Sequence, residues 1–169
     1  MSRPILPAID PSCIFSYHIR WITPRDIPAV VAIESASFSR PWTEADFRRA
    51  LRHRDTITMV ATSPKDDALL GFVVYRLSAK ELEILNLAVG PAHRRKQVGS
   101  ALMGKLYYKL GSHRRERLMV DVRESNTLAQ VFFRACGMKC VSVVRGMYEA
   151  GDGDGERAED GYRFEGRAG

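Results

Sequence analysis

No run of apolar residues in this 169-residue chain approaches the roughly 20 needed to cross a bilayer, so no membrane-spanning helix and no membrane partner are expected. Cysteine is scarce. Cys13, Cys136 and Cys140 form an odd set without metal-ligand spacing, which argues against a disulfide framework or zinc site and leaves reduced thiols in or near the core. His18, His53, His93 and His113 are equally dispersed, and no metal is expected. The opening MSRPILPAIDPSCIF lacks both a continuous apolar stretch and a small-residue cleavage site; no secretion signal is read there, and a cytoplasmic location is expected. Neither the G-x-G-x-x-G nor the P-loop glycine spacing occurs, so dinucleotide binding and nucleotide hydrolysis lack their signatures.

What is present is the composition of an ordinary globular protein, 45% hydrophobic and 27% charged, with enough chain for one core and one domain. The formal charge of +6 is unevenly spread, because residues 149–169 carry seven acids against three bases and leave the remainder at +10. A body that basic suits phosphate groups, a polyanion or an RNA-rich partner, although a solvated basic face has the same composition.

The chain punctuates into alternating elements. A proline-containing leader, residues 1–16, precedes a domain over 17–166. YHIRWI reads as a strand. In TPRDIPAVVAIESASF, Thr23 is placed to cap and Pro24 to open a helix whose Ile27, Val30, Val31 and Ile33 share a face. After the SRPW break, Thr43 and Asp46 have capping-box spacing at the start of TEADFRRALRH. TITMVAT and LLGFVVYRLS read as a hairpin across SPKDDA, and ELEILNLAVG as a further strand. Gln97 to about Leu110 is a helix, RLMVDVRE a strand, Thr127–Cys136 a helix closed by Gly137, KCVSVVRGMYE a strand and GYRFEG a short last strand. Between those last two strands, the Gly/Asp/Glu-rich stretch within 149–160 reads as a mobile acidic loop. The fold class is therefore α/β (α+β), a mixed central sheet of six to seven strands flanked by about four helices.

One stretch concentrates chemistry. In LNLAVGPAHRRKQVGSALMGKL a strand breaks at Gly90-Pro91, then Arg94, Arg95 and Lys96 precede a helix start rich in small residues. First-turn amides have no intrahelical acceptor and favour negative charge, so strand, basic turn and helix form an anion cradle that Gly99, Ser100 and Ala101 let a ligand approach closely.

LNLAVGPAHRRKQVGSALM resembles motif A of the GNAT superfamily of acyl-CoA-dependent N-acetyltransferases, whose Q/R-x-x-G-x-G/A pattern falls on Arg94 to Gly99. DVRESNTLAQVFFRACGM is similar to the second cofactor motif of that family, and IESASFSRPWTEADF to the first-helix and loop segment of its RimI branch, which acetylates the N-terminal alanine of a small-subunit ribosomal protein. Together the similarity covers roughly residues 17 to 165.

That resemblance implies a single-domain GNAT fold working as an acetyl-CoA-dependent N-acetyltransferase by direct transfer, with a peptide or protein N-terminus, such as that of a ribosomal protein, as acceptor and no direct reading of nucleic acid. Oligomeric state is left open. Backbone amides of Leu87, Ala88 and Val89 are expected to meet the acetyl and pantetheine groups. The pyrophosphate falls to Arg94, Arg95, Lys96, Gln97, Val98, Gly99 and Ser100, with Asn126 and Phe133 also at the cofactor. Asp121 stands where RimI-like enzymes carry a base; being one methylene shorter than Glu, it is expected to act through a water, and Glu83 is its rival. Phe38 and Trp42 are expected to line the acceptor groove. Two departures stand out: a motif glycine is replaced by Gln97, whose amide is expected to donate without positive φ, and the acid tyrosine by Phe133, leaving Tyr148 as the substitute donor. A small-amine acetyltransferase and a weakly catalytic acyl-CoA-binding regulatory module are the alternatives.

Overall fold

A computed structural model gives the fold, describing residues 16–149 and 157–167. The expected leader lies outside the described residues except for Ser16, as does the centre of the expected acidic loop. Seven strands form one sheet: β1 (His18–Trp21), β2 (Thr56–Thr62), β3 (Leu69–Leu77), β4 (Glu81–Val89), β5 (Arg117–Arg123), β6 (Lys139–Tyr148) and β7 (Glu159–Arg167), in the order β1-β2-β3-β4-β5-β7-β6. β7 starts at Glu159, so Glu159 and Asp160 belong to the sheet and not to the loop that composition suggests. Four α-helices accompany it among the described residues: α1 (Ile27–Ser37), α2 (Glu44–Arg52), α3 (Val98–Ser112) and α4 (Thr127–Ala135).

Local chemistry explains the boundaries. The first helix was expected to open at Pro24, yet Pro24–Asp26 is a 3-10 turn and the α-helix opens at Ile27. Pro28 has no N–H and its ring would meet the carbonyl four residues earlier, so an α-helix can contain it only in its first turn. The Thr43 box is present: Asp46 N–H donates to the Thr43 hydroxyl at 3.2 Å, and Thr43 N–H to the Asp46 carboxylate at 2.8 Å. Asn126 caps α4 by accepting from Ala129 N–H at 3.1 Å.

The helices divide the core in two. Val98, Leu102, Leu106 and Leu110 of α3 and Phe133 of α4 pack with Leu82, Ile84, Val120 and Phe164 on one sheet face. Val30, Ile33 and Phe47 from α1 and α2 pack with Val60, Phe72, Val74 and Ala88 on the other. Leu102 is wholly buried, and its truncation to alanine is worth about 2–5 kcal/mol.

Two irregularities of β4 place the site. Opposite β3, Val74 pairs with Asn86 but Tyr75 with Ile84, so Leu85 is an extra residue, a bulge. It turns Leu85 and Asn86 toward α1 and α2, whereas Ile84 and Leu87 belong to the α3 face. The second is a splay. β4 and β5 are the parallel pair in this sheet, joined through α3, and their ladder matches Glu81–Ile84 with Arg117–Val120 and then ends.

Candidate active site

Where β4 and β5 part, a cleft of about 500 Å³ opens. Its floor and sides come from Ile84 to Leu87 of β4 and Val120 to Arg123 of β5; Glu34, Phe38 and Trp42 close it from the α1 side, and Asn126, Phe133 and Tyr148 from the other. Trp42 and Leu85 also wall a second hollow of about 550 Å³ beside α2.

The basic turn adjoins the cleft, Arg94 donating to the Ser37 hydroxyl on its wall. Arg95 and Gln97 both have left-handed backbones, φ +58° and +65°. The expectation that Gln97 avoids positive φ is therefore corrected: it adopts the left-handed conformation that favours glycine, at a cost of about 1 kcal/mol. Left-handed residues alternating with others make successive N–H groups converge, a backbone anion nest, and this one runs directly into the α3 N-terminus. The side chains divide their work. Arg94, Arg95 and Lys96 are all exposed; the Arg94 guanidinium donates to the Val89 carbonyl at 3.1 Å and the Ser37 hydroxyl at 3.0 Å, and the Lys96 ammonium to the Ala92 carbonyl at 3.1 Å. Val98 is a core side chain, so its N–H alone is available. Ser100 is half-buried two residues on. Packing also calls for glycine at 99, since a Cβ there would lie 3.0 Å from the Phe132 ring of α4.

Along β4, Gly90 N–H donates to the Leu70 carbonyl of β3 at 2.8 Å. Strand alternation then commits Ala88 to β3 as well, opposite Phe72, and turns the peptide groups of Leu87 and Val89 toward the splay. Two of the three expected amides thus face the cleft; Ala88 does not.

Both carboxylates nominated as base are held by arginine. Asp121 accepts two 2.8 Å hydrogen bonds from Arg163, its direct partner on β7, and its side chain is 12% exposed. Glu83 pairs with Arg76, its partner on β3, and is not part of the cleft wall. Glu34 on α1 was missed. It is 1% exposed, lines the cleft, and accepts from Trp42 N–H at 2.9 Å and the Asn86 amide at 3.0 Å. Burial lifts its carboxyl above the ordinary range, and the hydrogen bonds from Trp42 and Asn86 only partly oppose that rise. The signal available in the sequence was an acid on the apolar side of α1, one residue after Ile33.

Tyr148 reaches the cleft with the Arg123 guanidinium 4.2 Å from its ring centre. Burial first, then the nearby Asp121 charge, push its phenol up, so it stays protonated. Phe133 is 5% exposed, 5.2 Å from the Phe132 ring, and forms apolar cleft wall. Asn126 lines the cleft while capping α4. Phe38 and Trp42 stand together on its α1-side wall and also anchor their loop on the α1/α2 core.

Comparison with known proteins agrees with this geometry. The chain is 27% identical to the [ribosomal protein bS18]-alanine N-acetyltransferase of Escherichia coli strain K12 over 128 residues, 76% of this chain and 84% of that protein. It is 25% identical to the Haemophilus ducreyi protein of the same name over 140 residues, 83% of this chain and 94% of that one. The crystal structure of Ard1 from Thermoplasma volcanium superposes with a TM-score of 0.77 at 26% identity, covering 90% of this chain and 98% of that one. The profile described as the acetyltransferase (GNAT) family matches residues 27–138, about two thirds of the sequence, and the chain belongs to that family, an N-acetyltransferase that uses acetyl-CoA.

Proposed function

We propose that this enzyme acetylates the N-terminal α-amine of a protein, with a ribosomal protein beginning in alanine as the leading acceptor. The observation that carries this reading is the cleft at the β4/β5 splay, where an aromatic wall, Phe38 and Trp42, and a buried carboxylate stand beside the left-handed basic turn that Arg94 ties to Ser37 on the cleft wall. The bS18-alanine N-acetyltransferases above support the acceptor class.

The residues fit acetyl-CoA. Its diphosphate suits the amides of Gln97 to Ser100 and the exposed Arg95 and Lys96, and Leu87 and Val89 offer peptide groups to its extended arm. When bound, it supplies an acetyl thioester as the acyl donor. The chain contributes the rest. Its cleft fixes the amine against the acyl carbon, and N–H groups of β4 stabilise charge developing on the acyl oxygen.

A protonated α-amine must first lose a proton. Asp121 is tied through both oxygens to a cation, Arg163, whereas Glu34 is held by the neutral N–H groups of Trp42 and Asn86, so we assign that role to Glu34, acting through a cleft water because its carboxylate is nearly sealed from solvent. Asn86 and the Trp42 amide hold it in place. Tyr148, in the absence of a hydroxyl at Phe133, donates a proton to the leaving thiolate.

Thiol release from acetyl-CoA, measured across N-terminal peptides and free amines, tests the acceptor. Alanine-first peptides should be consumed fastest. Release only with polyamines or aminoglycosides would make this a small-amine enzyme, and no release with any amine would make it an acyl-CoA-binding module.

A further inference from the structure

The diphosphate turn holds two of the four non-glycine residues with left-handed backbones among the described residues, Arg95 and Gln97. Such a conformation persists only where its surroundings over-determine it. Here the surroundings are specific. Arg94 ties one end of the turn to Val89 on β4 and to Ser37 in the last turn of α1, and the Lys96 ammonium reaches back to the Ala92 carbonyl at 3.1 Å. A fourth tie comes from far away in sequence: the Tyr17 hydroxyl, just ahead of β1, donates to the carbonyl of Lys96.

The location of that carbonyl matters. It shares one peptide plane with the N–H of Gln97, and in a trans peptide the two point in opposite directions. Relief of the left-handed strain at Gln97 requires that plane to rotate, and rotation withdraws the carbonyl from Tyr17. The Tyr17 ring is half-buried against the α3 core, so the hydroxyl is not free to follow.

We propose that Tyr17 is a positioning residue for the diphosphate site, fixing the Gln97 N–H toward the ligand in a turn that glutamine strains. The inference rests on the reading that this turn takes the diphosphate of acetyl-CoA. A glycine at position 97 would hold the same backbone without strain and would need the tie less.

The test uses the full chain with Tyr17→Phe, Gln97→Gly and both together. Calorimetry gives coenzyme A affinity, and steady-state kinetics give KM and kcat for acetyl-CoA and for acetyl-pantetheine, which lacks the diphosphate. Tyr17→Phe should weaken coenzyme A binding and raise the acetyl-CoA KM by roughly 2- to 10-fold, the range of one hydrogen bond, with kcat at saturation unchanged. Its effect on acetyl-pantetheine should be nil, and in the Gln97→Gly background the loss should shrink. Unchanged coenzyme A affinity in Tyr17→Phe, an equal loss with acetyl-pantetheine, or an undiminished loss beside Gly at 97 would each overturn the assignment. If the unsubstituted chain bound no coenzyme A at all, the diphosphate reading itself would fail and take the proposal with it.

Discussion

Asp121 on β5 and Arg163 on β7 face each other across the antiparallel ladder and meet in two 2.8 Å hydrogen bonds at the wall of the cleft. Arg163→Met leaves a carboxylate of 12% exposure without its cation and should cost about 1–3 kcal/mol in urea unfolding, since the arginine itself is 38% exposed and partly screened. Adding Asp121→Asn should recover part of that loss, a coupling that a double-mutant cycle reads directly. Additive losses would show that the pair contributes nothing.

Glu34→Gln should lower kcat by about 100-fold or more with coenzyme A affinity intact. Asp121→Asn should cost turnover much less. Because burial raises the Glu34 carboxyl, folding favours its protonated form: this group's contribution to stability is complete below the unfolded carboxylate range and is lost as pH rises through the elevated folded value. Glutamine mimics the protonated state, so the substitution should become relatively more stabilising as pH rises, while the wild-type rise of kcat with pH disappears. Thermal midpoints and pH–rate profiles on the same two proteins check both halves.

The thiolate side is probed separately. Tyr148→Phe should reduce turnover on N-terminal peptides by about 10-fold without altering peptide KM, and Phe133→Tyr, which puts a hydroxyl on the cleft wall, should raise it. Equal rates in all three proteins would mean that the thiolate leaves without help from either position.

Acid stability depends on the entry to α1. Asp26 accepts from Arg20 at 2.7 and 3.0 Å and from Thr23 N–H at 2.7 Å, and Arg20 foremost holds its carboxyl down at about 2. A depressed carboxyl contributes stability above its unfolded value, about 3.9, that fades as pH falls toward the folded one. The thermal midpoint of Asp26→Asn should accordingly lie below wild type at pH 7 and converge with it toward pH 2–3, and a gap that stays constant on acidification would contradict the linkage.

Much of the scaffold was legible because its signals are local. Periodicity placed the strands and α3, and the helix starts read after the Thr43 cap and at Thr127 fall at the positions observed. The basic turn from Arg94 to Gly99, leading from β4 into α3, was legible because one contiguous motif builds it. It was obscure where the fold joins distant residues. Glu34 and Asn86 meet across 52 positions through a one-residue bulge that no pattern in ELEILNLAV announces, and Arg163 reaches Asp121 from 42 residues away. Gln97 misled for a related reason: its side chain disfavours positive φ, and only the ties around it show why the backbone keeps that geometry.

The central claim is that the acetyl group of acetyl-CoA goes to a protein N-terminus. One measurement addresses it most directly: a peptide beginning with alanine and containing an internal lysine is incubated with enzyme and acetyl-CoA, and fragmentation mass spectrometry locates the modification. A single acetyl group on the α-amine, with thiol released in equal amount and no reaction when that amine is blocked beforehand, is the expected result. Acetyl on the lysine, or an untouched peptide beside rapid acetylation of a free polyamine, would contradict it.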